Sequence, residues 1–155
     1  MMRTIDAVHI AAPVERVWPF AAGVERWPDI LPHYRWVTRL EGEAAGDGVV
    51  EMAAWRPFGV VNWPTWWVSE MWVDAARREV RYHHRRGITA GMDVLWTITA
   101  AVRGESDVTI VHEWNGPRWP LIGRAAAEFV IGPVFVHGIA SRTLAGIKRA
   151  VEAAA

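Results

Sequence analysis

The chain has 155 residues, 52% of them hydrophobic, with 17 basic and 17 acidic side chains and no cysteine. One domain of this length buries a core without staples. The charge balance argues against nucleic acid or an anionic membrane as partner, and the missing cysteine excludes a disulfide framework and a thiol nucleophile.

Residues 1–12 include Asp6 and His9 and hold no apolar signal core. The uncharged run 129–141 is shorter than the ~20 residues that cross a bilayer. A cytoplasmic protein is expected, either monomer or homodimer. Eleven tryptophans stand against four phenylalanines and two tyrosines. Indole is flat, bulky and carries a donor that wants a partner, so two readings are open: a bulky core with some exposed tryptophan, or a pocket walled by rings.

In chain order, residues 3–11 alternate as a first strand. Pro13 opens a short helix with Val14, Val17 and Trp18 on its apolar side. Pro19 and Gly23 end it, and a second short helix over 24–31 stops at Pro32. A meander follows, with strands near 34–41, 48–56, 65–73, 78–86, 91–102 and 107–115, separated by glycine- and aspartate-rich turns. Residues 57–64 read as a longer apolar loop.

From 119 to 152 the spacing predicts one long helix with an apolar stripe at Phe129, Pro133, Val136, Ala140, Leu144, Ile147 and Val151. Arg124, Glu128, Arg142, Lys148 and Arg149 lie opposite, and Gly132-Pro133 predicts a kink. The stripe must be buried against another layer, and the remaining regular material is strand. The fold class is therefore α+β: a curved antiparallel sheet of about seven strands wrapped around a long C-terminal helix, with two short helices after the first strand.

Residues two apart share a sheet face. Alternation turns inward Val108, Ile110, His112 and Trp114; then Val94, Trp96, Ile98 and Ala100; then Val80, Tyr82 and His84. Trp67, Ser69 and Met71 are assigned inward from a strand apolar on both faces. So are Val49, Glu51, Ala53 and Trp55, at the expense of burying a carboxylate. The expected binding surface is Trp67, Met71, Tyr82, Trp96 and Trp114 from the sheet, with Phe129, Val136 and Ala140 from the helix.

No phosphate loop, dinucleotide fingerprint, nucleophile elbow or zinc-spaced histidine pair is present. His84 and His112 share the inner face, and imidazole titrates close enough to neutrality to act as acid or base. Each could equally be a satisfied interior histidine. Tyr34, entering the second strand, either donates a proton at a pocket mouth or packs at its rim. Arg85-Arg86 beside Gly87 read as an anion site or as solvated hairpin charges, and His137 as a helix-face residue without a role. A metal would need Glu51 as third ligand, so no metal or other cofactor is expected.

The segments Ala12-Pro13-Val14-Glu15-Arg16-Val17-Trp18, Trp27-Pro28-Asp29-Ile30-Leu31-Pro32-His33-Tyr34 and Val94-Leu95-Trp96, with the terminal helix, resemble the START-like, helix-grip SRPBCC superfamily. Within it the chain is most similar to polyketide cyclase/dehydrase and aromatase/cyclase proteins. The resemblance implies a cavity tyrosine at Tyr34, a wall tryptophan at Trp96 and an interior polar residue at His112. It also implies that Met71 and His84 stand where aromatase/cyclases carry interior arginines. The expected function is binding of a hydrophobic, aromatic or polyketide-like small molecule between sheet and helix, with cyclisation and dehydration by Tyr34, His84 and His112. The alternatives are a non-catalytic carrier of lipid or isoprenoid quinone, resembling coenzyme Q-binding proteins, and an adaptor using surface tryptophans.

Overall fold

A computed structural model describes residues 1–58, 60–118, 120–121, 123–126 and 134–154. Seven strands form one antiparallel sheet: β1 (Met2–Ile10), β2 (Tyr34–Gly42), β3 (Gly48–Phe58), β4 (Val61–Asp74), β5 (Glu79–Gly87), β6 (Asp93–Ala100) and β7 (Ser106–Trp114). Their spatial order is β1-β7-β6-β5-β4-β3-β2. The first strand pairs with the last at one edge, and α1 (Val14–Ala22) and α2 (Trp27–Ile30) carry the chain from there to β2 at the opposite edge.

Those two helices are short for readable reasons. Pro13 leads into α1 and, at its other end, the Gly23 N–H donates to Pro19 O at 3.0 Å. In α2 the Leu31 N–H closes on Trp27 O at 2.7 Å, and the Trp27 indole N–H donates to Phe20 O at 2.8 Å, tying one helix to the other.

The C-terminal helical segment comprises α3 (Gly123–Ala126) and α4 (His137–Ala153), the second entered through a wider, π-type turn over 134–136. Val136, Ala140, Leu144, Ile147 and Val151 are buried as their spacing requires, while Arg142 and Arg149 face water. Phe129, Glu128 and the Gly132-Pro133 kink lie outside the described residues. A glycine is needed in α4 at Gly146, where a Cβ would sit 2.3 Å from Leu31 Cδ2. The missing side chain lets the helix seat directly on the end of α2.

Three expectations are corrected. Residues 57–64 are not a loop: β3 and β4 continue as a hairpin, pairing Pro57 with Asn62 and Phe58 with Val61. The prolines suggested a break, yet here they cost no ladder bond. The Trp55 N–H points away from β4 to His33 O at 2.6 Å, so Pro57, two residues on, lacks an N–H only on an edge where β2 has ended. Pro64, opposite Trp55, lies beyond the last β5 pairing of β4, Trp67 with Gly87.

The second correction concerns β3. Val50, Met52, Ala54 and Arg56 are buried on the concave face, whereas Glu51 accepts a bond from the Trp36 indole at 3.0 Å on the convex one and Trp55 is exposed. Val49 and Ala53 are buried as well, so apolar alternation carried no phase. The third is Ala100, which is exposed where β6 ends. The other inner-face assignments, including Trp67, Ser69 and Met71, are buried.

Candidate functional site

A cavity of about 80 Å³ lies between the concave face and α4. Tyr82, Val94 and His112 stand in one row across β5, β6 and β7, because the register pairs Tyr82 with Val94 and Val94 with His112. Met52, Trp67, His84, Trp96 and Ile110 also line this side, with Thr89 and Met92 from the β5–β6 connection, while Phe135, Val136, Ile139, Ala140 and Thr143 close the other. Trp27 reaches in from α2, with its ring centroid 5.5 Å from Trp96 and 5.2 Å from Tyr34.

Tyr34 is buried at the start of β2, with His33 at 4.9 Å and Trp67 at 6.1 Å between ring centroids. Burial pushes its phenol well above the usual tyrosine range, partly opposed by a hydrogen bond with Thr143. Thr143 donates to Ile139 O at 2.8 Å, and its oxygen lies 2.9 Å from His33 Nε2. A polar thread thus runs from His33 through Thr143 to Tyr34. Burial, together with the nearby Arg142 and Arg149, lowers His33 to about 4.

On the sheet side, His84 Nδ1 lies 2.7 Å from the Thr89 hydroxyl, and its ring stacks on Trp67 at 5.8 Å. The β5–β6 connection is held around it by His84 N–H to Met92 O at 2.9 Å and Gly91 N–H to His84 O at 2.7 Å. Burial, with His112 and His83 as lesser causes, lowers His84 to about 3. Burial alone lowers His112 to about 4. Both rings are neutral at pH 7 with a lone pair free, although burial makes each a weaker base than an exposed imidazole. Two buried polar atoms of cavity residues lack a partner: the Tyr82 hydroxyl and His112 Nδ1.

The structure brings Tyr34, His84, His112, Trp67, Tyr82, Trp96, Val136 and Ala140 to one cavity. Met71 and Trp114 are buried outside its wall. The Met71 sulfur lies 4.0 Å from Arg39 Nη2, and the Trp114 indole donates to Ala90 O at 3.0 Å. Phe129 lies outside the described residues. Arg85 pairs with Glu70 and Arg86 lies 5.7 Å over the Trp66 ring, so these arginines serve the outer surface.

Sequence reading missed Trp27, Met52, Thr89, Met92, Phe135, Ile139 and Thr143 in the wall and His33 behind it. Ile139 and Thr143 had a signal, each standing three residues after a stripe residue, Val136 and Ala140. Among the described residues no group of three His, Asp or Glu side chains is placed to hold a metal ion, and no helix is long and apolar enough to cross a membrane.

A sheet gripping a terminal helix over an aromatic-walled cavity is the helix-grip architecture of START-like proteins. The family model described as "Polyketide cyclase / dehydrase and lipid transport" matches residues 1–152, and the chain belongs to that family. A putative polyketide cyclase of Streptomyces halstedii is 33% identical over 103 residues, which is 65% of this chain and 91% of that protein. The Zhui aromatase/cyclase of a Streptomyces species superposes with a TM-score of 0.77 at 21% identity, covering 97% of this chain and 93% of that one. A Thermus thermophilus protein gives 0.80 at 17% identity over 99% of both chains. A START superfamily protein of Mycobacterium smegmatis gives 0.73 at 11% identity, again over 99% of both.

Proposed function

We propose that the cavity binds a hydrophobic, ring-bearing or polyketide-like molecule and catalyses its aldol closure and dehydration. The observation that carries this reading is a ring-walled cavity in which two histidines are held neutral. A neutral imidazole removes the proton from a carbon flanked by carbonyls. The resulting enolate carbon attacks a second carbonyl of the same chain, whose oxygen takes a proton from Tyr34 or the imidazolium. Loss of one water then leaves the unsaturated ring and returns the groups to their starting state. No oxidant is consumed.

The cavity at about 80 Å³ is smaller than the roughly 300 Å³ or more that a drug-sized ligand occupies. Met52 and Met92 supply the adjustable part of the wall, since an unbranched thioether side chain repacks at low cost.

A carrier of lipid or isoprenoid quinone is the second reading, favoured by one observation. The positions implied to hold arginines in aromatase/cyclases are Met71, which is outside the wall, and His84, which is already bonded to Thr89. His112→Gln separates the two. Binding and product formation are measured on one preparation with polyketide and quinone candidates. The enzyme reading expects retained binding and turnover slower by roughly 100- to 10,000-fold. Unchanged product formation removes His112 from the mechanism, and no product from the wild type in either ligand class leaves the carrier.

A further inference from the structure

Beyond the cavity wall, His112 has polar neighbours that the proposed chemistry has not used. Register places Thr4 of β1 directly opposite His112 and Asp6 opposite Ile110, so Thr4, Asp6 and His112 share the concave face. Three buried polar atoms here have no protein partner: Thr4 Oγ1, Asp6 Oδ2 and His112 Nδ1. The other Asp6 oxygen, Oδ1, accepts from His137 at the start of α4. The Asp6 side chain is 4% exposed and that of His137 is 60% exposed, so the pair runs from the interior to solvent.

Buried polar atoms are nearly always satisfied, and a buried water typically makes about three hydrogen bonds to groups of this kind. Directly opposed Cβ atoms in a sheet are about 5 Å apart and diagonal ones about 7 Å. On that spacing three side chains on one face are within reach of a single bridging water.

We propose that Asp6 is a positioning residue for His112, acting through a single buried water held by Asp6 Oδ2, Thr4 Oγ1 and His112 Nδ1. The carboxylate can only accept, so one water hydrogen goes to Asp6. The water oxygen accepts from His112 Nδ1–H, and the nearby negative charge favours the tautomer whose N–H dipole points towards it. The Nε2 lone pair is then left for the cavity. When the ring takes a second proton there, Asp6 stabilises the imidazolium, and His137 extends the polar chain to bulk water.

The use of this device in catalysis rests on the acid–base role proposed for His112. Its existence does not, and it is tested without a ligand. In protein labelled with ¹⁵N-histidine, long-range correlations report which nitrogen of each neutral ring carries hydrogen. The expected result at neutral pH is the Nδ1–H tautomer for His112. Asp6→Asn, whose amide can donate, should shift His112 towards Nε2–H, and Thr4→Val should shift it partly. His84, held by Thr89, should keep its signals in both variants. An Nε2–H tautomer of His112 in the wild type overturns the proposal, as does a His112 tautomer unmoved in both variants. Should Asp6→Asn fail to fold, the wild-type tautomer and Thr4→Val still decide. Unchanged product formation by His112→Gln, with the Nδ1–H tautomer found in the wild type, would sink the mechanism and leave this inference standing.

Discussion

Trp66 and Trp67 are neighbours on β4 and live in different solvents. Trp66 is 43% exposed on the convex face with the Arg86 guanidinium 5.7 Å over its ring, whereas Trp67 is 8% exposed and stacks on the His84 imidazole at 5.8 Å. The same contrast recurs across the sheet: Arg35 lies over the exposed Trp36 and Trp55 rings at 4.6 and 4.7 Å, while Trp27 and Trp96 face each other inside. Outside, water keeps a guanidinium charged and its cover of the ring is worth about 0.5–1 kcal/mol. Inside, the polar companion is a neutral ring, because desolvation disfavours the charged form. Tryptophan is thus the common material of both faces, and the partner tells which one lines the cavity.

The largest effect should come from truncating each neighbour. Trp67→Ala is expected to cost about 3–5 kcal/mol by extending the cavity into the core, and Trp66→Ala about 1 kcal/mol or less. Urea unfolding of the two variants measures this, and equal losses would erase the distinction between the faces.

The second expectation uses pH. His84 and His112 bind protons less readily folded, at about 3 and 4, than the ordinary 6.5 of an unfolded chain. The unfolded state therefore holds more protons below pH 6.5. The stability that these neutral rings contribute is complete above about 6.5 and is lost as pH falls, down to about 4 for His112 and about 3 for His84. Each contributes a slope of about 1.4 kcal/mol per pH unit within its window. His112→Gln should remove one such slope between pH 6 and 4, leaving those of His84 and of His33, which burial also lowers to about 4. A pH profile parallel to wild type would mean that His112 does not titrate as a buried group.

Ala140→Trp sharpens the comparison from the helix side by placing an indole where α4 lines the cavity. It should fill the space, abolish binding of a hydrophobic fluorescent probe and leave the fold intact. A loss of about 1–3 kcal/mol from overpacking, with probe binding unaltered, would mean that the probe binds elsewhere.

The smallest effect is one of selectivity. Trp96→Ala should weaken planar ligands more than flexible acyl chains of equal size, by about 0.5–1.5 kcal/mol, the part of ring–ring contact that exceeds area burial. Calorimetry on matched ligands decides it, and equal losses would leave Trp96 as bulk alone.

Much of this architecture was legible where one face is wet and the other dry. Val108, Ile110, His112 and Trp114 alternate with polar residues on β7, and the stripe of α4 from Val136 to Val151 keeps helical spacing, so phase could be read directly. β3 resisted because Val49, Val50, Met52, Ala53 and Ala54 are all buried, which removes the contrast that alternation needs. The paired histidines could be found by period two. Their surroundings could not: Asp6 and His137 are 131 residues apart and His33 and Thr143 are 110 apart, and only the closure of the sheet on the helix brings such pairs together. His137, a helix-face residue without a role by spacing, acquires a partner only through that closure.

The β3–β4 hairpin outruns its neighbours, and that extension has a consequence for how copies of the chain meet. A two-stranded ribbon with exposed Val60, Val61 and Trp63 offers β-forming side chains beside open backbone, the combination that recruits another strand and seeds aggregates. Growth from an edge needs outward N–H donors, and on this ribbon Pro57 and Pro64 remove one from each side. The prolines that disguised the hairpin in the sequence thus act as its guard against templated self-association, a safeguard whose removal should appear first as lost colloidal stability and only later as lost fold.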